Sequence, residues 1–267
     1  MKAGYLQFKP EFGKPSINIS KIRDFISGRK FDLLVLPELA NSGYLFSEKK
    51  ELEELSEEIP GGKFVDALKK ICKEKNCHIV SGVCEKHKND FYNSSVLIYP
   101  SGKVFVYRKI HLFDTEKKWF TPGNIPLTTY TISGKYFGKV KIGMLICFDW
   151  IFPETARTLS LLGAQILCHP SNLVMQFCQK AMFTRALENH VFTITANRTG
   201  KETAGKKTLK FTGQSVIVSP KGKYLHVGSK NKQECIIVEF DPKVALNKKI
   251  NPQNDLFTDR KKKYYII

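Results

Sequence analysis

Apolar and polar positions along this chain follow two alternating periods. Short, nearly continuous apolar runs stand between segments whose apolar residues recur every three or four positions. That is the pattern of buried strands interleaved with amphipathic helices. Residues 2–8 read as a first strand. Ile19, Ile22, Phe25 and Ile26 then follow Ser16 and Asn18 at helical spacing. Residues 31–36 form a short strand of the kind buried on both faces, and it stops at Pro37-Glu38. Beyond Gly61-Gly62, the positions Phe64, Ala67, Leu68, Ile71 and Cys72 mark a second helix, and residues 78–84 the next strand. Residues 91–99 and 103–108 flank Pro100-Ser101-Gly102 as a hairpin. Residues 115–137 read as loop. Residues 139–146 form a strand that breaks off at Cys147; Pro153 suits the first turn of the helix that follows, along Ala156, Leu159, Leu161 and Leu162. Residues 164–172 run as a strand into a polar loop, 179–189 as a helix and 191–197 as a strand. Residues 200–210, rich in Gly and Lys, read as a mobile surface loop, and 214–223 and 234–240 close the sheets.

The chain has 267 residues and shows no fixed-period repeat and no linker. One α/β domain over residues 1–267 is the expectation. Residues 242–267 form a basic tail without a core of its own, expected to pack on the domain or on a partner subunit. No apolar run approaches the roughly 18 to 20 residues needed to span a bilayer. Residues 1–8 read as a strand rather than a signal segment, so the expected location is cytoplasmic and no membrane partner is expected. The seven cysteines are an odd number, which argues against a disulfide framework. Cys72, Cys77, His78 and Cys84 lie close together, but their spacing matches zinc sites poorly, so no metal is expected. The formal charge of +18 admits a nucleic-acid partner. No recognition motif accompanies it, and the scattered lysines read as a solvated surface with no specific nucleic-acid partner.

Chemistry enters at the strand ends. In open α/β sheets, ligand sites form beyond the carboxyl ends of strands, and Glu38, Lys109 and Cys147 each occupy such an end. A carboxylate can take a thiol proton, an ammonium can stabilise a developing anion, and the sulfur can attack. Turn and helix N–H groups near Cys147 are expected to lower its pKa. Each residue has an ordinary alternative: a buried thiol, a capping carboxylate, a surface lysine. Tyr44 and Asn172 lie on loops after strands and are candidate pocket residues. His111 and His169 suggest a Cys–His dyad but read better as packed, hydrogen-bonded side chains. Asp149 and Glu154 are expected to brace the elbow, and Arg185, Glu188 and Asn189 to form a polar network.

The stretches Leu36-Pro37-Glu38, Tyr107-Arg108-Lys109-Ile110-His111-Leu112-Phe113, Cys147-Phe148-Asp149-Trp150-Ile151-Phe152-Pro153-Glu154 and Arg185-Ala186-Leu187-Glu188-Asn189 occur in this order. Together they make the chain resemble the nitrilase superfamily of carbon–nitrogen hydrolases over nearly its whole length. The Cys-Phe-Asp-Trp elbow, His169-Pro170-Ser171-Asn172-Leu173-Val174 and Asn254-Asp255-Leu256-Phe257-Thr258-Asp259-Arg260 look most like archaeal thermophilic nitrilases. The resemblance implies a four-layer αββα sandwich, a homodimer or higher homo-oligomer, and no metal or organic cofactor. It implies Glu38 as general base, Lys109 as transition-state stabiliser and Cys147 as nucleophile. Glu116 takes the place of a second family glutamate; the alternative is an ordinary carboxylate in the Glu116-Lys117-Lys118 run. The backbone N–H of Phe148 is the expected oxyanion donor.

The function expected from this resemblance is hydrolysis of non-peptide carbon–nitrogen bonds in small aliphatic nitriles or amides. It would run through a thioimidate or thioester and release ammonia and a carboxylic acid. An amidase or N-carbamoyl amide hydrolase without nitrilase activity is the alternative. A non-catalytic, basic nucleic-acid-binding protein is the reading from a different class.

Overall fold

The structure, a computed structural model, describes residues 1–265. From the N-terminus, β1 (Lys2–Gln7) leads through α1 (Pro15–Ile26) to β2 (Leu33–Val35). Next come α2 (Lys49–Leu55), the short β3 (Glu57–Glu58), α3 (Lys63–Lys75) and β4 (His78–His87). The hairpin strands β5 (Asp90–Ile98) and β6 (Val104–Arg108) precede α4 (Glu116–Trp119), β7 (Thr129–Gly134) and β8 (Gly138–Met144). A 3₁₀ turn, Cys147–Ile151, opens onto α5 (Pro153–Leu161), β9 (Ile166–Pro170), α6 (Cys178–Asn189) and β10 (Phe192–Ala196). The chain finishes its sheets with β11 (Lys201–Ala204), β12 (Lys207–Lys210), β13 (Val216–Val218), β14 (Tyr224–Val227) and β15 (Glu234–Glu239).

Two large sheets result, ordered β15-β1-β2-β4-β5-β6 and β14-β13-β10-β9-β8-β7. Each has three parallel strands at its centre, β1-β2-β4 in one and β8-β9-β10 in the other, with antiparallel strands outside them. Within each triplet the strands advance in one direction. Right-handed crossovers of that kind put every connecting helix on the same face. The other face of each sheet is left bare and apolar, and the two bare faces bury each other. The result is the αββα sandwich. In β2, Leu33 and Val35 join the core between the sheets, while Leu34 joins the core under α1 and α3 with Ile22, Phe64 and Leu68. The near-continuous apolar run of β2 therefore serves two cores at once.

Residues 115–137 contain two elements, α4 and β7, where the sequence reads as loop. β7 is an edge strand with one fully buried position, Ile132, so it lacks the alternation that signals a half-buried strand. Residues 201–210 form the hairpin β11-β12 rather than a mobile loop. The tail packs on the outer helices of the second sheet. Ala245 enters the core, and Lys248 Nζ donates to the carbonyls of Asn189 and His190 at the end of α6, at 3.0 and 2.8 Å. Ile266 and Ile267, the end of that tail, lie outside the described residues.

Candidate active site

Glu38 sits three residues beyond β2, where Pro37 has ended the ladder. The segment is still held by β4: Gly82 N donates to Pro37 O at 3.0 Å and Ala40 N to Gly82 O at 3.0 Å. The two backbones touch so closely that a Cβ at position 82 would lie 2.3 Å from Glu38 Cα. Only glycine allows this approach. Lys109 directly follows β6. Because β4 to β5 to β6 reverses direction twice, the carboxyl end of β6 lies at the same end of the sheet as that of β2. Its backbone is fixed by Asn93 O, 2.8 Å from Lys109 N.

Cys147 lies three residues past β8, with φ +39°, in the left-handed region that a non-glycine residue rarely adopts. The elbow is braced from inside. Asp149 accepts from Ile146 N at 2.8 Å and from the Tyr107 hydroxyl at 2.8 Å, and lies 2.7 Å from His111 Nδ1. His169 Nε2 is 2.9 Å from the Cys147 carbonyl oxygen. A carbonyl only accepts, so Nε2 carries the proton and Nδ1 accepts from Thr195 at 3.1 Å. Burial lowers the His169 pKa to about 4, so the ring is neutral at neutral pH. Both histidines are bracing groups. Glu154 is exposed and does not brace the elbow, against expectation. Arg185, Glu188 and Asn189 do form a polar network. Arg185 Nη1 donates to Glu188 Oε1 at 3.0 Å and Asn189 Nδ2 to Arg185 O at 2.9 Å. Cys72 and Cys77 face the outer core of the first sheet, and Cys84 belongs to a separate cluster under the loops.

The three strand-end residues and Glu116 form one buried cluster. Lys109 Nζ donates to Glu38 Oε1 at 2.7 Å and to Glu116 Oε1 at 2.8 Å. Glu116, on the short α4, also accepts from Tyr44 OH at 2.8 Å and from Phe113 N at 3.1 Å. It is 3% exposed, so it is no ordinary loop carboxylate. Asn93 Nδ2 donates to Glu38 Oε1 at 2.7 Å. Asn172 Nδ2 donates to Glu38 O at 2.9 Å, and the Asn172 backbone acts to lower the Cys147 pKa. Phe148 follows Cys147 on the same turn, and its ring lies against Phe113, centroids 5.0 Å apart. Asn93 carries little signal in the sequence. Its one mark is a polar Asn93-Ser94-Ser95 run inside a strand that is otherwise apolar.

The charges act on one another. Burial alone would lower the Lys109 pKa, but Glu116 and Glu38 outweigh it and hold the ammonium above the ordinary lysine value. Burial raises Glu116, with Glu38 adding to it and Lys109 opposing. Burial also raises Cys147, well above the usual thiol value; Glu38 adds to the rise and Lys109 opposes it. This reverses the expected lowering by turn N–H groups: removal from water outweighs one backbone hydrogen bond. The resting group is a neutral thiol beside a carboxylate and an ammonium, and a thiol of this kind reacts when a base removes its proton during attack.

A thiol elbow at the sheet ends of an αββα sandwich defines a class of nitrilase- and amidase-type enzymes, and the comparisons with known proteins agree. The family model described as carbon-nitrogen hydrolase matches residues 2–247. A nitrilase of Pyrococcus abyssi is 41% identical over 99% of both chains. An (R)-stereoselective amidase of a Pseudomonas species is 32% identical over 90% of this chain and 85% of its own. The crystal structure of a Helicobacter pylori carbon-nitrogen hydrolase superposes with a TM-score of 0.84 at 24% identity, covering 99% of this chain and 97% of that one, which bears on the fold. The chain belongs to the carbon–nitrogen hydrolase family, is similar to archaeal nitrilases within it, and is an enzyme of nitrilase/amidase type.

Proposed function

We propose that this enzyme hydrolyses small aliphatic amides and nitriles through Cys147, with Glu38, Lys109 and Glu116 as its partners. The observation that carries the reading is the Lys109 ammonium held between Glu38 and Glu116 at 2.7 and 2.8 Å, beside a buried thiol on a strained turn. Glu38 takes the proton of Cys147 as the sulfur attacks the carbonyl or nitrile carbon. Lys109 and the Phe148 N–H balance the charge that develops on oxygen or nitrogen. Glu38 then passes that proton to the departing nitrogen, so an amide loses ammonia and leaves a thioester; a nitrile first forms a thioimidate, which takes up one water and loses ammonia to reach the same thioester. Water, deprotonated by Glu38 and oriented by Glu116, releases the acid. Tyr44 fixes Glu116, and Asn172 fixes the Glu38 backbone and faces the sulfur.

The chain as one domain, its assembly as a homodimer or larger homo-oligomer and its place in the cytoplasm complete the proposal. Leu161 at the end of the outer helix α5, Leu162 just beyond it and Leu187 on α6 are exposed, which fits self-association through that layer. All seven cysteines are free, which fits a reducing compartment. No helix among the described residues is long and apolar enough to cross a membrane.

Ammonia release from a panel of small amides, nitriles and carbamoyl compounds, beside Cys147→Ala, tests the reading. Release that disappears in the variant supports it. A Cys147→Ala enzyme that keeps its activity refutes the assignment. Salt-sensitive nucleic-acid binding with no turnover would favour the binding-protein reading.

A further inference from the structure

Arg198 and Glu202 form a buried ion pair outside the cluster described above. Arg198 is wholly buried and Glu202, on β11, is 7% exposed. Glu202 Oε1 accepts from Arg198 Nη1. Its other oxygen, Oε2, accepts from two successive backbone amides, Tyr44 N at 3.0 Å and Leu45 N at 2.9 Å. The loop wraps closely around this carboxylate: Gly43 has φ +85°, and a Cβ there would lie 3.0 Å from Glu202 Oε1. Arg198 is fixed in turn. Its Nη2 donates to Pro10 O at 3.2 Å, and its guanidinium lies 4.1 Å from the centre of the Phe211 ring. Phe211 meets Tyr44 edge to face at 6.0 Å.

The Tyr44 loop is therefore gripped at its backbone by Glu202 and at its ring by Phe211. Its hydroxyl then reaches the same Glu116 oxygen that takes the Lys109 ammonium. Stability alone is a poor reason for such a pair, since a buried salt bridge commonly contributes no more than well-packed apolar residues of the same volume. What it supplies here is a single position for the loop.

We propose that Arg198 and Glu202 are positioning residues for the hydrolysis: Glu202, held by Arg198, fixes the Tyr44 backbone and thereby sets where Glu116 and Lys109 stand. Neither touches the reacting atoms. The proposal rests on the assignment of Glu116 and Lys109 to the reacting cluster. It also gives β11-β12 a function, as the arm that carries the clamp.

The test compares Glu202→Ala, Glu202→Gln, Tyr44→Phe and the double variant Glu202→Ala/Tyr44→Phe. Turnover of propionamide is followed over pH, with alkylation of Cys147 by iodoacetamide as a readout independent of substrate and thermal melting as a check on folding. Tyr44→Phe lowers kcat about tenfold, and Glu202→Ala lowers it at least as far with little change in KM, as small displacements of positioned groups do. Glu202→Gln, which keeps an acceptor for the amides but loses the charge opposite Arg198, falls between. The double variant is no slower than Glu202→Ala, because Tyr44 is already displaced in it. The pH profile of alkylation shifts in the same direction in Glu202→Ala and Tyr44→Phe.

A folded Glu202→Ala with wild-type kcat overturns the proposal. So does a double variant that loses the product of the two single effects, or a fully active Tyr44→Phe. Where Glu202→Ala does not fold, Glu202→Gln decides by the same criteria. An active Cys147→Ala would instead strike at the site assignment, and so is told apart from failure of the clamp.

Discussion

Lys109 Nζ donates to Glu38 Oε1 across 2.7 Å, and neither side chain has any exposure to solvent. The two residues, 71 apart in sequence, join the chain just beyond β2 to the chain just beyond β6. With Glu116 on the other side of the ammonium, two carboxylates share one cation in a dry site. Such an arrangement is costly to leave half made.

Lys109→Met leaves Glu38 and Glu116 facing each other without a counter-charge. Loss of one partner of a buried pair costs about 3–5 kcal/mol. Urea unfolding at neutral pH should show a loss of that size, with turnover abolished. The contribution of Lys109 in the wild type is fully present below its ordinary value of 10.5 and fades only as pH rises beyond it, because its folded pKa is raised. Glu116→Gln should behave in the opposite way at neutral pH. Its carboxyl is raised in the fold, so the charge opposes folding there. The variant is expected to be as stable as the wild type or more so, and much slower.

Cys147 should alkylate slowly at neutral pH. Burial, reinforced by Glu38, holds it as a thiol well above the usual range. Mass spectrometry of iodoacetamide labelling should show a rate that climbs on raising the pH past about 9, a free-thiol range. Fast labelling at pH 6 would contradict this electrostatic picture.

Gly82→Ala should disable the enzyme without touching a reacting group. The new methyl would lie 2.3 Å from Glu38 Cα and 2.5 Å from Leu39 N, both backbone atoms. The chain must shift, and overpacking of this kind costs about 1–3 kcal/mol. A fall in kcat of about a hundredfold is expected as Glu38 moves, with the melting temperature reporting the strain.

His169 should make the fold sensitive to acid. Its folded pKa of about 4 lies below the ordinary 6.5, so stability is present above 6.5 and is lost as pH falls towards 4. The difference amounts to about 3 kcal/mol. His169→Gln, which can still donate to the Cys147 carbonyl, should show a flatter stability profile between those pH values in chemical denaturation. An unchanged slope would show that the ring is protonated in the fold.

Parts of this design are legible in the order of residues. The apolar run around β2 announces itself because a strand buried on both faces must be nearly continuous, and Pro153 marks the start of α5 because proline suits a first turn. Glu38, Lys109 and Cys147 stand out because each interrupts such a run. β7 does not stand out, since an edge strand buries one residue and leaves the rest in contact with water. The hairpin β11-β12 reads as loop for a similar reason: its lysines are exposed, and its one important side chain, Glu202, is buried by a loop that lies 157 residues away.

The sequence by itself determined the alternation of strands and helices and the placement of Glu38, Lys109 and Cys147 at strand ends, because hydrophobic period and strand termination are local properties of the chain; the four-layer sandwich and the roles of those residues were implied by the family resemblance of its motifs. Tertiary structure alone decided three other things: that Glu116 faces Lys109, that burial raises the Cys147 pKa, and that Asn93 donates to Glu38 while Glu202, paired with Arg198, accepts from the Tyr44 loop. Each of these depends on distance through space and on exclusion of water, and neither is a local property of the chain.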